Sequence, residues 1–217
     1  MVDGTLVVLK EKPALNRAES QSYFNYRKQK YGFQATIICD DEGRILKFNS
    51  QFPGAVHDAR AWRRLGVYQR PRDYLQGEEF ILADSAYPLT ETTIVSFKHS
   101  SARLSREKRV FNEKLSELRV SVEHCIDRLK GRFPSLRGLP HRVRCKKDVA
   151  LCLKWIGSCV ILHNLLMDLD DEIEPRWEAP DCDSNSDEEE NVESVENVSG
   201  KRRRDILMRA VLDNCED

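Results

Sequence analysis

A mixed α/β domain followed by a disordered acidic tail is the fold class this sequence predicts. Three observations predict it. Short β-rich stretches crowd the first half of the chain, two long stretches of helical spacing follow, and the composition changes after Asp170. At 217 residues the chain is long enough for one full domain plus appendages.

Residues 2–9, VDGTLVVL, form a first strand rich in Val and Leu. A polar, basic connection follows, EKPALNRAESQSYFNYRKQK. YGFQATIICD is the second strand and RILKFNSQF the third, joined by a DDEG turn in which Gly43 suits a positive φ. Residues 31–52 therefore read as a hairpin. PGAVHDARAWRRL changes period and gives a short helix after Pro53-Gly54. EEFILADSAYP, residues 78–88, is the fourth strand. From Asn112 to Lys130 the apolar positions Leu115, Leu118, Val122, Cys125, Ile126 and Leu129 fall at steps of three and four, and Pro134 ends that helix. Lys146 to Leu169 is a second long helix, apolar around much of its surface and read as buried. The antiparallel hairpin lies beside a partly parallel sheet in this reading. Residues 1–169 are one domain. Residues 170–217 are a tail, acidic and Ser/Asn-rich in DCDSNSDEEENVESVENVSG, closed by KRRR at 201–204 and a short amphipathic piece.

Composition narrows the function. No apolar run approaches the roughly 20 residues of a membrane span, and no secretory leader is legible, so a soluble intracellular protein without a membrane partner is expected. The seven cysteines contain no CxxC pair, which argues against zinc, and their odd count argues against a disulfide framework. Cys145, Cys152 and Cys159 recur every seven residues and read as buried free thiols. The net charge of −1 conceals an asymmetry: residues 1–169 carry 29 basic against 19 acidic side chains, whereas the remainder has a balance of −11. A body at +10 suits a polyanionic partner.

The strand in EEFILADSAYP runs straight into Asp84. A solvated turn acid is one reading; a metal ligand at a sheet edge is the other. Asp3 at the first strand and Glu123 on the amphipathic helix share its character, each flanked by apolar residues on a separate element. Phosphodiester-cutting enzymes hold two hard divalent ions between acids that converge from separate elements. A charged carboxylate at a core edge is costly alone, and a cation offsets that cost.

Five stretches then add a resemblance. DGT at 3–5, PGAVHDAR at 53–60, ADSAYP at 83–88, FNEKLSELRVSVEHCIDRLKGRFPSL at 111–136 and ILHNLL at 161–166 occur in this order. Together they resemble the DDE nuclease domain of PIF/Harbinger-type transposases and their domesticated, Harbinger-derived relatives. The resemblance implies an RNase H-like mixed sheet flanked by helices. It also implies a domain that uses Mg²⁺ or Mn²⁺ to cut or join DNA. Carried over residue by residue, the catalytic and metal-holding acids are Asp3, Asp84 and Glu123. Asp58 of VHDAR takes a supporting role, in an outer shell or as a helix cap, beside His57. Asp127, one turn after Glu123, either joins the metal shell or pairs with Arg128 or Lys130. This chain has Leu6 where the family has His, and only Met1 and Val2 precede Asp3. An N-terminally truncated domain is therefore expected. The alternative to a nuclease is an inactive domesticated or truncated copy that binds DNA or a protein partner.

Basic residues are dense between Lys98 and Lys147, and Arg128, Lys130 and Arg132 are expected to brace the scissile strand through its phosphates. A Myb-like protein partner is implied by the resemblance alone. KRRR reads as a nuclear localisation patch, and the nucleus suits a DNA substrate. His163 is expected to be a hydrogen-bonded core histidine, and Trp62, Trp155 and Trp177 to be packing residues.

Overall fold

A computed structural model of the chain describes residues 1–98, 104–169 and 197–214. Its elements in order are β1 (Val2–Val8), α1 (Arg17–Ser22), β2 (Phe24–Asn25), β3 (Lys30–Cys39), β4 (Ile45–Pro53), α2 (Asp58–Arg63), α3 (Gly66–Gln69), β5 (Ile81–Ala83), β6 (Thr93–Val95), α4 (Arg106–Arg132), α5 (Lys146–Asp168) and α6 (Val198–Asp213). The domain is mixed α/β, as expected.

Strand β3 is the axis. It pairs antiparallel with β1 on one side, from Val2 opposite Ile38 to Val8 opposite Gly32, and with β4 on the other. The expected hairpin forms, and Gly43 in its turn has φ +88°. A side chain there would also meet the Arg128 guanidinium. β5 and β6 pair parallel, and β5 lies beside β1.

Eight consecutive residues of β3, from Gly32 to Cys39, are buried, because both of its faces are covered. Phe33, Ala35, Ile37 and Cys39 meet Val122, Cys125, Ile126 and Leu129 of α4 and Cys152, Ile156 and Val160 of α5. Ile38 belongs instead with Val2, Trp62, Ala83, Tyr87, Ile94, Phe111 and Leu115. The strand's period of two thus sorts its side chains between two cores.

Helix α4 begins at Arg106, six residues before the periodic stretch read from sequence. Ser105 caps it by accepting the Lys108 amide, 3.4 Å away. Phe111 and Leu115 serve one core and Val122 to Leu129 the other, so this helix spans both.

Four readings need correction. The basic connection after β1 contains α1, capped by Asn16, whose side chain accepts the Glu19 amide at 2.9 Å. α5 is not buried all round: Cys152, Ile156, Cys159, Val160 and His163 are, whereas Leu151, Trp155, Ile161, Leu162, Leu165 and Leu169 are exposed. α5 is also long and apolar enough, by length and composition, to cross a membrane, although one of its faces packs into the core. Cys145 is exposed, at the helix N-cap, while Cys152 and Cys159 are buried thiols as expected.

The tail is corrected in part. α6 starts inside the stretch read as disordered and takes in the whole of KRRR. Leu207, Met208 and Val211 pack on the core that holds Phe111 and Leu115. Arg204 is buried, its guanidinium 3.9 Å from the centre of the Phe97 ring, and Arg203 is ion-paired with Glu78. Trp177 and residues 170–196, where the acidic tail is expected, lie outside the described residues.

Candidate active site

Asp3 lies opposite Ile37 in the β1–β3 ladder, on the face that α4 covers. Its anchorage is good. The Met1 amino group donates to the Cys39 carbonyl at 2.6 Å, the Cys39 amide donates back to Met1 at 3.0 Å, and Val2 is fully buried. Asp3 Oδ1 accepts the Gly4 amide at 2.8 Å. Burial holds its carboxyl up at about 6, with Asp58 and Asp84 adding repulsion, while the Gly4 amide and Arg119 act in the opposite direction.

Asp84 follows Ala83 directly, so the strand does end on the acid, and the Ser85 amide donates to Asp84 Oδ1 at 2.6 Å. Glu123 is exposed on α4. Between these two stands Arg119, one helical turn before Glu123. Its guanidinium lies 3.8 Å from Asp84 Oδ1 and 3.7 Å from Glu123 Oε1, and its side chain is only 16% exposed. Thus the end of β5 and α4 bring Asp84 and Glu123 to one cation, and Asp3 on β1 feels the same charge from farther away.

Asp58 completes the group from the first turn of α2. It does not cap that helix. Its Oδ1 accepts the Gln34 side-chain amide from β3. Burial raises its carboxyl most, and Asp84 raises it further. A side chain on Gly4 would collide with this carboxylate, so glycine in the DGT stretch is what lets α2 deliver its acid beside β1. The Tyr87 hydroxyl of ADSAYP is buried, has no hydrogen-bond partner among the described residues, and is held protonated by burial and by Asp58, Asp3 and Asp84.

The remaining predicted positions face elsewhere. Asp127 is exposed and makes no ion pair among the described residues, contrary to the expected pairing. Arg128 donates to the Glu42 carbonyl at 3.1 Å. Lys130 donates to Thr5 Oγ1 at 2.6 Å and to the Leu6 carbonyl at 3.2 Å, fastening α4 to β1. Arg132 donates to the His163 carbonyl at 3.3 Å. His163 is fully buried, its Nε2 3.3 Å from the Gly43 carbonyl, and burial pushes its pKa down to about 4. It is the core histidine the sequence indicates. Arg119 is legible in the sequence only as one of the dense basic residues, and Gly4 and Tyr87 only as parts of DGT and ADSAYP. The four-residue step from Arg119 to Glu123 was the available signal for the first.

The donors are carboxylate oxygens, the set that hard divalent ions take. In the arrangement seen, an arginine and not a cage closes the site. Among the described residues no three His, Cys, Asp or Glu side chains are grouped closely enough to hold an ion.

An acid-lined site at the meeting of a small sheet and a long helix defines a class, and the comparisons with known proteins agree with it. Residues 2–164 match the family described as DDE superfamily endonuclease, and the chain belongs to that family. It is 22% identical over 195 residues to the mouse (Mus musculus) protein "Putative nuclease HARBI1", covering 88% of this chain and 53% of the relative. It is also 22% identical over 161 residues to "Protein ALP1-like" of Arabidopsis thaliana, covering 67% of this chain and 37% of that protein. The chain therefore spans about half the length, or less, of these curated relatives. No solved structure matches it significantly.

Proposed function

We propose that this chain is a nuclease domain that cuts phosphodiester bonds in DNA with the help of divalent ions, Mg²⁺ or Mn²⁺, held by Asp3, Asp84 and Glu123. One observation carries the reading: acids from separate elements, Asp84 and Glu123, share Arg119, and Asp3 of β1 lies within the reach of its charge. Family membership and the name of the mouse relative support the reaction class. The strand sequence β4-β3-β1, with the parallel pair β5–β6 beside β1, supports an RNase H-like sheet. The balance of +10 over residues 1–169 supports a nucleic-acid substrate.

Bound divalent ions would activate a water and stabilise the leaving oxygen. The chain's own groups do the rest. Gly4 and Gln34 fix Asp58 against β1, Lys130 locks α4 in position, and the Ser85 amide orients Asp84. Arg119 neutralises the acids until a stronger cation arrives.

Nuclear action on DNA, and a Myb-like partner, belong to the same proposal. KRRR supports the nuclear part weakly, since Arg203 and Arg204 are engaged with Glu78 and Phe97. The second reading, a DNA-binding copy that does not cut, is favoured by the Arg119 bridge and by the absence of a ready metal cluster among the described residues.

Plasmid incubation with Mn²⁺ separates the two. The nuclease reading expects nicking by the chain and none by Asp84→Asn. Salt-sensitive DNA binding without nicking would establish the second reading.

A further inference from the structure

We infer that the outer face of α5 is a self-association surface on which two copies of this chain pair antiparallel.

The outer line of α5 is regular. Leu151, Trp155, Ser158, Leu162, Leu165 and Leu169 follow one another at steps of four, three, four, three and four. Every one of them is exposed, the five apolar members by 43% to 67%. At 3.6 residues per turn, Leu151 and Leu169 sit on the same line of the helix, about five turns apart. Ile161, 69% exposed, widens the patch. Cys152, Ile156, Cys159 and His163 repeat the same steps on the buried side. The inner seam packs into the core, and on the outer line Trp155 donates to Ser135 Oγ at 3.0 Å with its ring 5.8 Å from that of His141, leaving its leucines exposed.

Alternating steps of three and four are the pattern by which one helix meshes with another. A face with that pattern is complementary to itself, and a two-fold pair is the closed way to use it. Contiguous exposed apolar strips of this kind mark contact surfaces.

Charge sets the direction. Lys146 and Lys147 are exposed at the start of α5 and make no ion pair among the described residues. Arg144 lies beside Asp148, which caps the helix. The far end carries Asp168, paired with Arg44 but half exposed, and the last helix carbonyls. An antiparallel pair puts the lysines of each copy by the acidic end of the other and opposes the helix dipoles. A parallel pair would bring four lysines together. The antiparallel arrangement also lets the large Trp155 seat over the small Ser158 of the second copy.

Sedimentation velocity of the full chain over a wide concentration range tests this. A reversible dimer is expected. Leu162→Glu with Leu165→Glu should leave a monomer whose circular-dichroism melt is unchanged, because both residues are exposed. Should that variant unfold, Ser158→Arg on the same line makes the same prediction. Lys146→Glu with Lys147→Glu should weaken dimerisation about tenfold. A monomer at every concentration, or a dimer indifferent to these changes, overturns the inference. So does flotation with neutral phosphatidylcholine vesicles that Leu162→Glu abolishes, which would assign the face to a membrane.

Discussion

Helices α4 and α5 lie on the same sheet, and both bury one face, yet they treat the other in opposite ways. The outside of α4 is mostly charged, with exposed Arg106, Glu107, Arg109, Glu113, Lys114, Glu117, Glu123 and Asp127 interrupted by Leu118 and Val120. The outside of α5 is mostly apolar. A charged outer face is already in its preferred solvent, and there the chain can place acids and a cation for chemistry. An apolar outer face is in the wrong solvent, and calls for a partner. The two helices thus divide the labour: α4 carries the candidate chemistry and α5 the candidate contact.

The largest expected effect sharpens this contrast within α5 itself. Ile156→Ala, on the fully packed inner seam, should cost about 2–5 kcal/mol in denaturant unfolding. Leu162→Ala, on the outer line, should change monomer stability by less than about 0.5 kcal/mol. Equal costs would mean that the outer face is already covered within one chain.

Next comes the glycine that allows α2 to approach β1. Gly4→Ala forces Asp58 away and should destabilise the fold by about 1–3 kcal/mol. Asp58→Ala in the same background should recover part of that loss, in a double-mutant cycle.

Two buried titratable groups, Asp3 and His163, also respond oppositely to pH. Asp3 in the fold holds its proton up to about 6, above the ordinary 3.8, so its contribution to stability falls as pH rises through that window. His163 is depressed to about 4 from 6.5, so its contribution is full above 6.5 and is lost as pH falls towards 4. The two slopes oppose one another between about pH 4 and 6. Asp3→Asn removes one of them. That variant should gain on the order of 1 kcal/mol relative to wild type between pH 5 and 7, and its stability should fall more steeply on acidification. An unchanged profile would mean that Asp3 is better solvated than its surroundings indicate.

The same contrast explains what the sequence made legible. Strands β1, β3 and β4 announce themselves through Val, Ile and Phe and a glycine turn, and the second half of α4 through its apolar spacing. What escaped depends on distant partners. α1 is polar and marked only by its Asn16 cap. β6 has three residues and is a strand only because β5 lies alongside. α6 looked like tail until Gly200 met Thr90 and Leu207 met the core. The acids at 3, 84 and 123 were nameable from motif and flanking pattern. The place of Arg119 among them was not, because a cation spacing on a helix does not say which acids another strand will bring. Nor does periodicity say which of two apolar faces of α5 is turned inward.

In the proposed function Asp3, Asp84 and Glu123 form one cation site, held by Arg119 until a divalent ion displaces it. Calorimetric titration of Mn²⁺ into wild type, Arg119→Gln and Asp3→Asn distinguishes this arrangement from its rivals. Tighter binding to Arg119→Gln than to wild type, with binding lost in Asp3→Asn, is the predicted result. Manganese uptake that is absent from all three, or that is the same in all three, would contradict it.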